Sequence, residues 1–228
     1  MTARRILAID TSGTSALVAL GEADGTLLTE RRWTAGYRHG EELLTRIDEM
    51  LKTAAVPIAE LGGIVVGTGP GAFTGLRVGL ATAKALAHGL GIPIAGVATS
   101  EALLDAVTAA VVRPQDDGRQ LALLLPAGPS DRVLVLRGVA ELIRGGEDPR
   151  LDKTTTLVAV DLPGRAPAEA LALGLQAEAG LSTALLRLGV RKLAAGGDDV
   201  ALLVPEYVTL PRGVPAMKGE VRWSRDRR

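Results

Sequence analysis

The run Gly67-Thr68-Gly69-Pro70-Gly71-Ala72-Phe73-Thr74-Gly75-Leu76-Arg77, leading straight into the Ala-rich segment 78–90, constrains the fold of this chain more than any other feature. Glycine enters positive φ freely, and proline lacks an N–H and fixes φ, so a run this rich in both can be neither strand nor helix. It must turn. Ile64-Val65-Val66 before it reads as a buried strand. After it, Leu76, Leu80, Ala83, Leu86, Ala87 and Leu90 recur at helical spacing, with Thr74 available as an N-cap. A strand–turn–helix junction aims backbone N–H groups and the positive end of a helix dipole at one point, which suits phosphate. No register gives the Gly-x-x-x-x-Gly-Lys-Ser/Thr phosphate loop. Gly67-x-Gly69-x-x-Ala72 fits a loose dinucleotide fingerprint, but no acidic residue lies between Gly75 and Ser100 to hold a ribose.

Composition narrows the classes further. The 26 basic and 26 acidic residues cancel, which argues against a strongly basic nucleic-acid binder. With no cysteine, disulfides, thiolate metal sites and a cysteine nucleophile are excluded. Two separate histidines, His39 and His88, make a poor metal site, so no metal centre is expected. There is no apolar run of about 18 residues. Met1-Thr-Ala-Arg-Arg leads into a strand rather than an apolar leader, so the expectation is a cytoplasmic protein without a membrane anchor. Aromatic residues are only 2% of the chain, so the core must be built from Ala, Val and Leu. Phe73, the single Phe, reads as an anchor for the Gly-rich turn.

Residues 4 to 33 read as three strands, joined by Thr11-Ser12-Gly13-Thr14 and the Asp24-Gly25 turn. From Glu41 to Ala54, Leu43, Leu44, Ile47, Met50, Leu51 and Ala54 share one helical face. Strands follow at 64–66 and 92–97, and helices at 74–90 and 100–110, the latter with Ser100 in capping position. The order is βββαβαβα. The turn-rich stretch Arg113 to Arg119 marks a lobe boundary. The expected division is an N-terminal lobe over 1–111, a smaller lobe over 112–204, and a segment from 205 to 228 that packs back and then becomes a basic tail. In the second lobe, strands are predicted at 121–125, 132–136 and 154–160, and helices at 167–179 and 181–195.

The run GTGPGAFTGLRVGLATAKALA, with Ile6-Leu7-Ala8-Ile9-Asp10-Thr11-Ser12 before it and His39-x-x-x-Leu43-Leu44-x-x-Ile47-Asp48 between, resembles the TsaB (YeaZ) family. The resemblance is close over residues 5 to about 107 and returns at Pro205-Glu206-Tyr207-Val208. It implies a two-lobed α/β fold of the actin, hexokinase and Hsp70 (ASKHA) superfamily. It also implies a non-catalytic subunit of the bacterial complex that transfers threonylcarbamoyl from its adenylate to the adenosine next to the tRNA anticodon. The implied partners are a TsaD-type catalytic subunit, a TsaE-type ATPase and a second copy of the chain in isolation, with tRNA met indirectly. Cofactors implied are none for the chain alone, with ATP and Mg possible at the level of the complex.

Residue by residue, the resemblance makes Phe73, Leu76, Gly79, Leu80, Ala83, Ala87, Leu43 and Ile47 a partner face. The small residues Gly75, Gly79, Ala83 and Ala87 lie four apart and would let a second helix approach. Gly67, Gly69, Pro70, Gly71, Thr74 and Gly75 form the Gly-rich loop, and Asp10, Thr11 and Ser12 a vestigial nucleotide site. On the residues alone, Asp10 equally reads as a strand-end side chain that satisfies turn N–H groups. Val160 to Gly164 and Ala195-Gly196-Gly197 are the nearest matches to the superfamily's second phosphate and adenosine loops. TsaD-type relatives hold a metal through His-x-x-x-His, whereas the fourth position after His39 is Leu43. The alternative function is a small-molecule kinase of the same fold using Asp10 and Thr11. Pro126 to Arg132 departs from the family's Asp-Ala-Arg loop, and Arg222, Arg225, Arg227 and Arg228 could reach RNA.

Overall fold

The computed structural model describes residues 4–34, 39–111 and 120–208. The Arg113 to Arg119 boundary and the four tail arginines lie outside the described residues. A meander of β1 (Arg5–Asp10), β2 (Ser15–Gly21) and β3 (Leu27–Thr34) opens the fold. Then come α1 (His39–Thr53), a 3-10 turn, β4 (Leu61–Gly67), α2 (Phe73–Leu90), β5 (Ile94–Val97) and α3 (Thr99–Val111), the expected order. The first sheet runs β3-β2-β1-β4-β5, with β1, β4 and β5 mutually parallel.

β1 shows why this sheet is enclosed on both faces. Its side chains alternate: Leu7 and Ile9 join a core with Leu43, Ile47 and Met50 of α1 and Leu80, Ala83 and Ala87 of α2. Ile6 and Ala8 point the other way, into a core with α3 and the second sheet.

That second sheet consists of β6 (Gln120–Pro126), β7 (Arg132–Leu136), β8 (Val139–Ile143) and β9 (Thr155–Ala159), in the order β8-β7-β6-β9. Together the sheets make a two-lobed ASKHA fold. β8 is not foreseen from the sequence. Its hairpin turn is Arg137-Gly138, both at positive φ (52° and 75°), where sequence reading looks for Asn-Gly or Asp-Gly.

The two helices predicted at 167–179 and 181–195 are one, α4 (Ala168–Ala194). Gly180, which looks like a break, instead lets α3 approach: a Cβ there would sit 2.9 Å from the Cβ of Ala106. The same device docks both ends of α4. At Gly174 a Cβ would fall 1.8 Å from the Ala159 carbonyl oxygen of β9, and at Gly189 it would fall 2.2 Å from the Val65 side chain of β4. One helix thus rests on both sheets.

This arrangement separates helix propensity from packing. Gly89, in α2, has open space around it, so Gly89→Ala gains helix propensity of up to about 1 kcal/mol. Gly174→Ala has the same gain but pushes a methyl into backbone, and overpacking costs about 1 to 3 kcal/mol or more. Thermal melting is expected to show Gly89→Ala at or above wild type and Gly174→Ala clearly below it.

Candidate functional site

Because β1, β4 and β5 are parallel, their carboxyl ends, Asp10, Gly67 and Val97, meet at one edge of the sheet, the edge where open α/β sheets bind ligands. Asp10 is 2% exposed and makes three hydrogen bonds there. Its Oδ1 accepts from the Ser12 N–H (2.9 Å) and Ser12 Oγ (2.7 Å). Its Oδ2 accepts from Thr99 Oγ1 at 2.6 Å, and Thr99 Oγ1 in turn accepts from the Gly69 N–H at 3.2 Å. Burial pushes the Asp10 carboxyl above its ordinary value, while the Thr99 and Ser12 bonds act against that rise.

The Gly-rich loop closes over this group because two of its glycines, Gly67 and Gly71, leave room for it. A Cβ at Gly67 would lie 1.8 Å from Asp10 Oδ2, and one at Gly71 2.3 Å from the Ser12 carbonyl oxygen. Ala72 N–H donates to that same carbonyl at 2.7 Å. The turn between β1 and β2 and the turn after β4 are therefore one unit, joined by the Ala72–Ser12 bond, and within the second turn the Gly69–Pro70 peptide is cis. The C-terminal segment straps it down. Glu206 N–H donates to the Thr68 carbonyl at 2.8 Å, and Tyr207 stacks on Phe73 with ring centroids 4.9 Å apart. Arg77 covers the Phe73 ring, its guanidinium carbon 5.3 Å from the centroid. Phe73 is thus an anchor, half-buried, for residues 205–208.

Several sequence-based placements need correction. Thr74 is not the N-cap of α2: the helix begins at Phe73, and the cap position is Ala72, whose methyl can accept no bond and whose N–H is drawn to Ser12. Gly75 is inside the first turn of α2, where its carbonyl accepts from Thr11 Oγ1 at 2.7 Å. Ser100 is likewise inside α3, and it is the preceding Thr99 that reaches Asp10. The small-residue line faces inward. Gly79 admits Thr11, whose Oγ1 would be 2.2 Å from a Cβ at that position. Leu76, Leu80, Ala83, Ala87, Leu43 and Ile47 are all buried within this single chain, Ala83 completely. Outward, α1 and α2 present Leu44, 56% exposed, with Arg77, Ala81 and Ala85, among polar side chains such as Glu41, Asp48, Glu49 and His88.

The second sheet reaches this site through Val160 to Gly164, the segment that the resemblance gives as nearest to a second phosphate loop, though by a side chain rather than by backbone N–H groups. Asp161, two residues past β9 and at a left-handed φ of 56°, accepts the Thr14 N–H on its Oδ2 at 3.0 Å. A phosphate seated at the β1–β2 turn would need that donor. Glu178 lies nearby, its carboxyl raised by burial and by the Asp161 charge, with Arg32 opposing. The residues present therefore do not fit a magnesium nucleotide: the turn's donor is already held by a carboxylate, and Asp10 is enclosed. Among the described residues no group of three His, Cys, Asp or Glu side chains could hold a metal, and no helix is long and apolar enough to cross a membrane.

The sequence profile of the TsaD family, tRNA N6-adenosine threonylcarbamoyltransferase, matches residues 34–208. This chain belongs to the TsaD family. Within it, the chain is of the TsaB (YeaZ) kind. It is 36% identical over 95 residues to the tRNA threonylcarbamoyladenosine biosynthesis protein TsaB of Escherichia coli, covering 42% of this chain and 40% of that protein. A tRNA N6-adenosine threonylcarbamoyltransferase of Agrobacterium fabrum is 32% identical over 187 residues, 70% of this chain and 50% of the other. An uncharacterised Mycobacterium leprae protein is 44% identical over 101 residues, 43% of this chain and 28% of that one. The chain thus matches half or less of the length of these curated relatives. YeaZ from Pseudomonas aeruginosa has the same fold, with a TM-score of 0.62 at 22% identity over 89% of this chain and 100% of that one.

The Asp10 network makes a prediction for stability. Asp10→Ala strands buried donors on Ser12 and Thr99, each worth about 1 to 3 kcal/mol when left unpaired. A loss of about 3 kcal/mol lowers Tm by roughly 6 to 12 °C in a domain of this size. The folded-state pKa is raised above 3.8, so ionised Asp10 is a standing cost at neutral pH. That cost disappears as pH falls through the raised value. The Tm gap between wild type and Asp10→Ala is expected to widen as pH drops from about 7 towards 4.

Proposed function

We propose that this chain is a TsaB-type subunit in the modification of tRNA adenosine with threonylcarbamoyl. It acts by pairing with a TsaD-type catalytic subunit, which a TsaE-type ATPase joins, and it does no chemistry of its own. The observation that carries this reading is the closure of the would-be phosphate site by the chain's own side chains. Asp161 holds the Thr14 N–H, Thr11 Oγ1 is given to the Gly75 carbonyl, and Asp10 is enclosed by Ser12 and Thr99. The same bonds weigh against the kinase alternative, since its two key residues, Asp10 and Thr11, are both taken up. The family of the chain and the names of its relatives supply the pathway, and a cytoplasmic location accords with it.

Pairing in this reading uses the outer surface of α1 and α2. Leu44 is a large apolar side chain left in water, and Ala81 and Ala85, one turn apart, are small enough for another helix to come close. A second copy of the chain would use the same surface when the catalytic subunit is absent.

Two arginine substitutions on α2 separate the inner face from the outer. Ala83→Arg drives a charge into a sealed core and is expected to unfold the chain, as seen by circular dichroism. Ala81→Arg is expected to keep the wild-type spectrum and Tm. Overpacking of about 1 to 3 kcal/mol should then weaken association with the TsaD-type subunit by roughly ten- to a hundredfold, measured by light scattering. Undiminished association of Ala81→Arg would overturn the interface, and modified tRNA made by this chain with threonine, bicarbonate, ATP and a threonylcarbamoyl-adenylate synthase alone would overturn the non-catalytic role.

A further inference from the structure

The loop that departs from the family pattern, Pro126 to Arg132, forms one wall of a polar depression of about 720 Å³ at the end of the second sheet. The other walls are the turn after β8 and the segment after β9, and Arg132, Arg144 and Arg165 all line it. Arginines brought together usually face carboxylates. Here two of them are held by backbone carbonyls instead. Arg132 donates to the carbonyls of Arg165 (3.2 Å) and Glu147. Arg165 donates to those of Gly128 (3.1 Å) and Pro129 (3.0 Å). A carbonyl fixes the orientation of a guanidinium without cancelling its charge.

Arg144 is exposed and has no ion-pair or hydrogen-bond partner among the described residues. The single carboxylate in the lining, Asp131, is turned to the loops: its Oδ1 accepts from the Gly145 N–H (2.9 Å) and from Ser130 Oγ (3.3 Å). Three guanidinium groups thus share one depression with a single carboxylate, an excess of two positive charges, and among the described residues none of the three is ion-paired with it. Its rim is open as well. Around Gly128, Gly146 and Gly164, all at positive φ, a Cβ would meet nothing within 4 Å.

We infer that this depression binds phosphate oxygens, those of an RNA backbone in the first place. Planar guanidinium forks match phosphate oxygens, and holding them in advance lowers the entropy lost on binding. No aromatic side chain lines the site, so nothing there can stack on a base, and recognition falls on the backbone without regard to sequence. The inference rests on the geometry of the second sheet and needs neither the catalytic subunit nor the α1–α2 interface.

The test uses the full chain with two probes, a fluorescently labelled RNA stem-loop and inorganic phosphate. Wild type is expected to bind the RNA with an affinity that falls as salt rises. Arg144→Glu should weaken it by about tenfold and reduce the salt slope by about 1. Arg144→Gln should fall between the two. Arg137→Glu, at the opposite end of β7, should bind as wild type, and circular dichroism checks that each variant is folded. Binding of inorganic phosphate that shifts the amide signals of Gly145 and Gly146, without RNA binding, would keep the site and assign it to a free phosphate group. Wild-type RNA binding by both Arg144 variants, or no response at Gly145 and Gly146 to either probe, would overturn the inference.

Discussion

Asp10 is the residue on which the functional edge of this molecule depends. A carboxylate buried at the end of a central strand is costly unless donors surround it, and Asp10 has three, from Ser12 and Thr99. Satisfying it ties the β1–β2 turn to the start of α3, and Thr99 extends the tie to Gly69 of the Gly-rich loop. The glycines follow from the same requirement. At Gly67 and Gly71 a methyl would occupy the space taken by Asp10 and Ser12. A pattern that suggests an anion cradle is, in this chain, the packing condition for a carboxylate supplied by the protein itself.

The long helix α4 makes the two sheets one body. It meets β9 at Gly174 and β4 at Gly189, each through a position where only hydrogen fits, and Leu181, Ala184, Leu185 and Leu186 lie in a core shared with strands of both sheets. With the sheets held in this way, Asp161, just past β9, can reach Thr14, which immediately precedes β2. Closure of the crevice and continuity of the core are therefore linked. Opening it to admit a ligand would require Asp161 to release the turn or α4 to shift along both sheets.

Much of this was legible in the sequence. The βββαβαβα order followed from periodicity and turn chemistry, and Asp10 to Ser12 and Gly67 to Gly71 were singled out as a site. The gaps have physical causes. Helical spacing identifies Leu80, Ala83 and Ala87 as one face but not whether that face meets its own sheet or another molecule, and here it meets β1 and β4. Gly180 looks like a helix break, and only its neighbour Ala106, 74 positions away along the chain, shows that it is a point of close approach. Ser100 reads as a cap on paper, whereas both it and Thr99 lie inside α3, and Thr99 turns to Asp10 at the end of β1, a contact that no local pattern reveals. The strap at 205–208 was visible as a returning resemblance, while its pairing with Phe73 is a tertiary contact.

Hydrogen exchange at single amides in the isolated chain tests the central claim, that the chain's own carboxylates close this edge. The account predicts that Ser12, Gly69 and Ala72 exchange as slowly as the interior of β1, that Thr14 is protected as long as Asp161 is present and loses protection in Asp161→Ala, and that millimolar Mg-ATP changes none of these rates. Fast exchange at Ser12 and Gly69 without nucleotide, followed by protection when Mg-ATP is added, would contradict it.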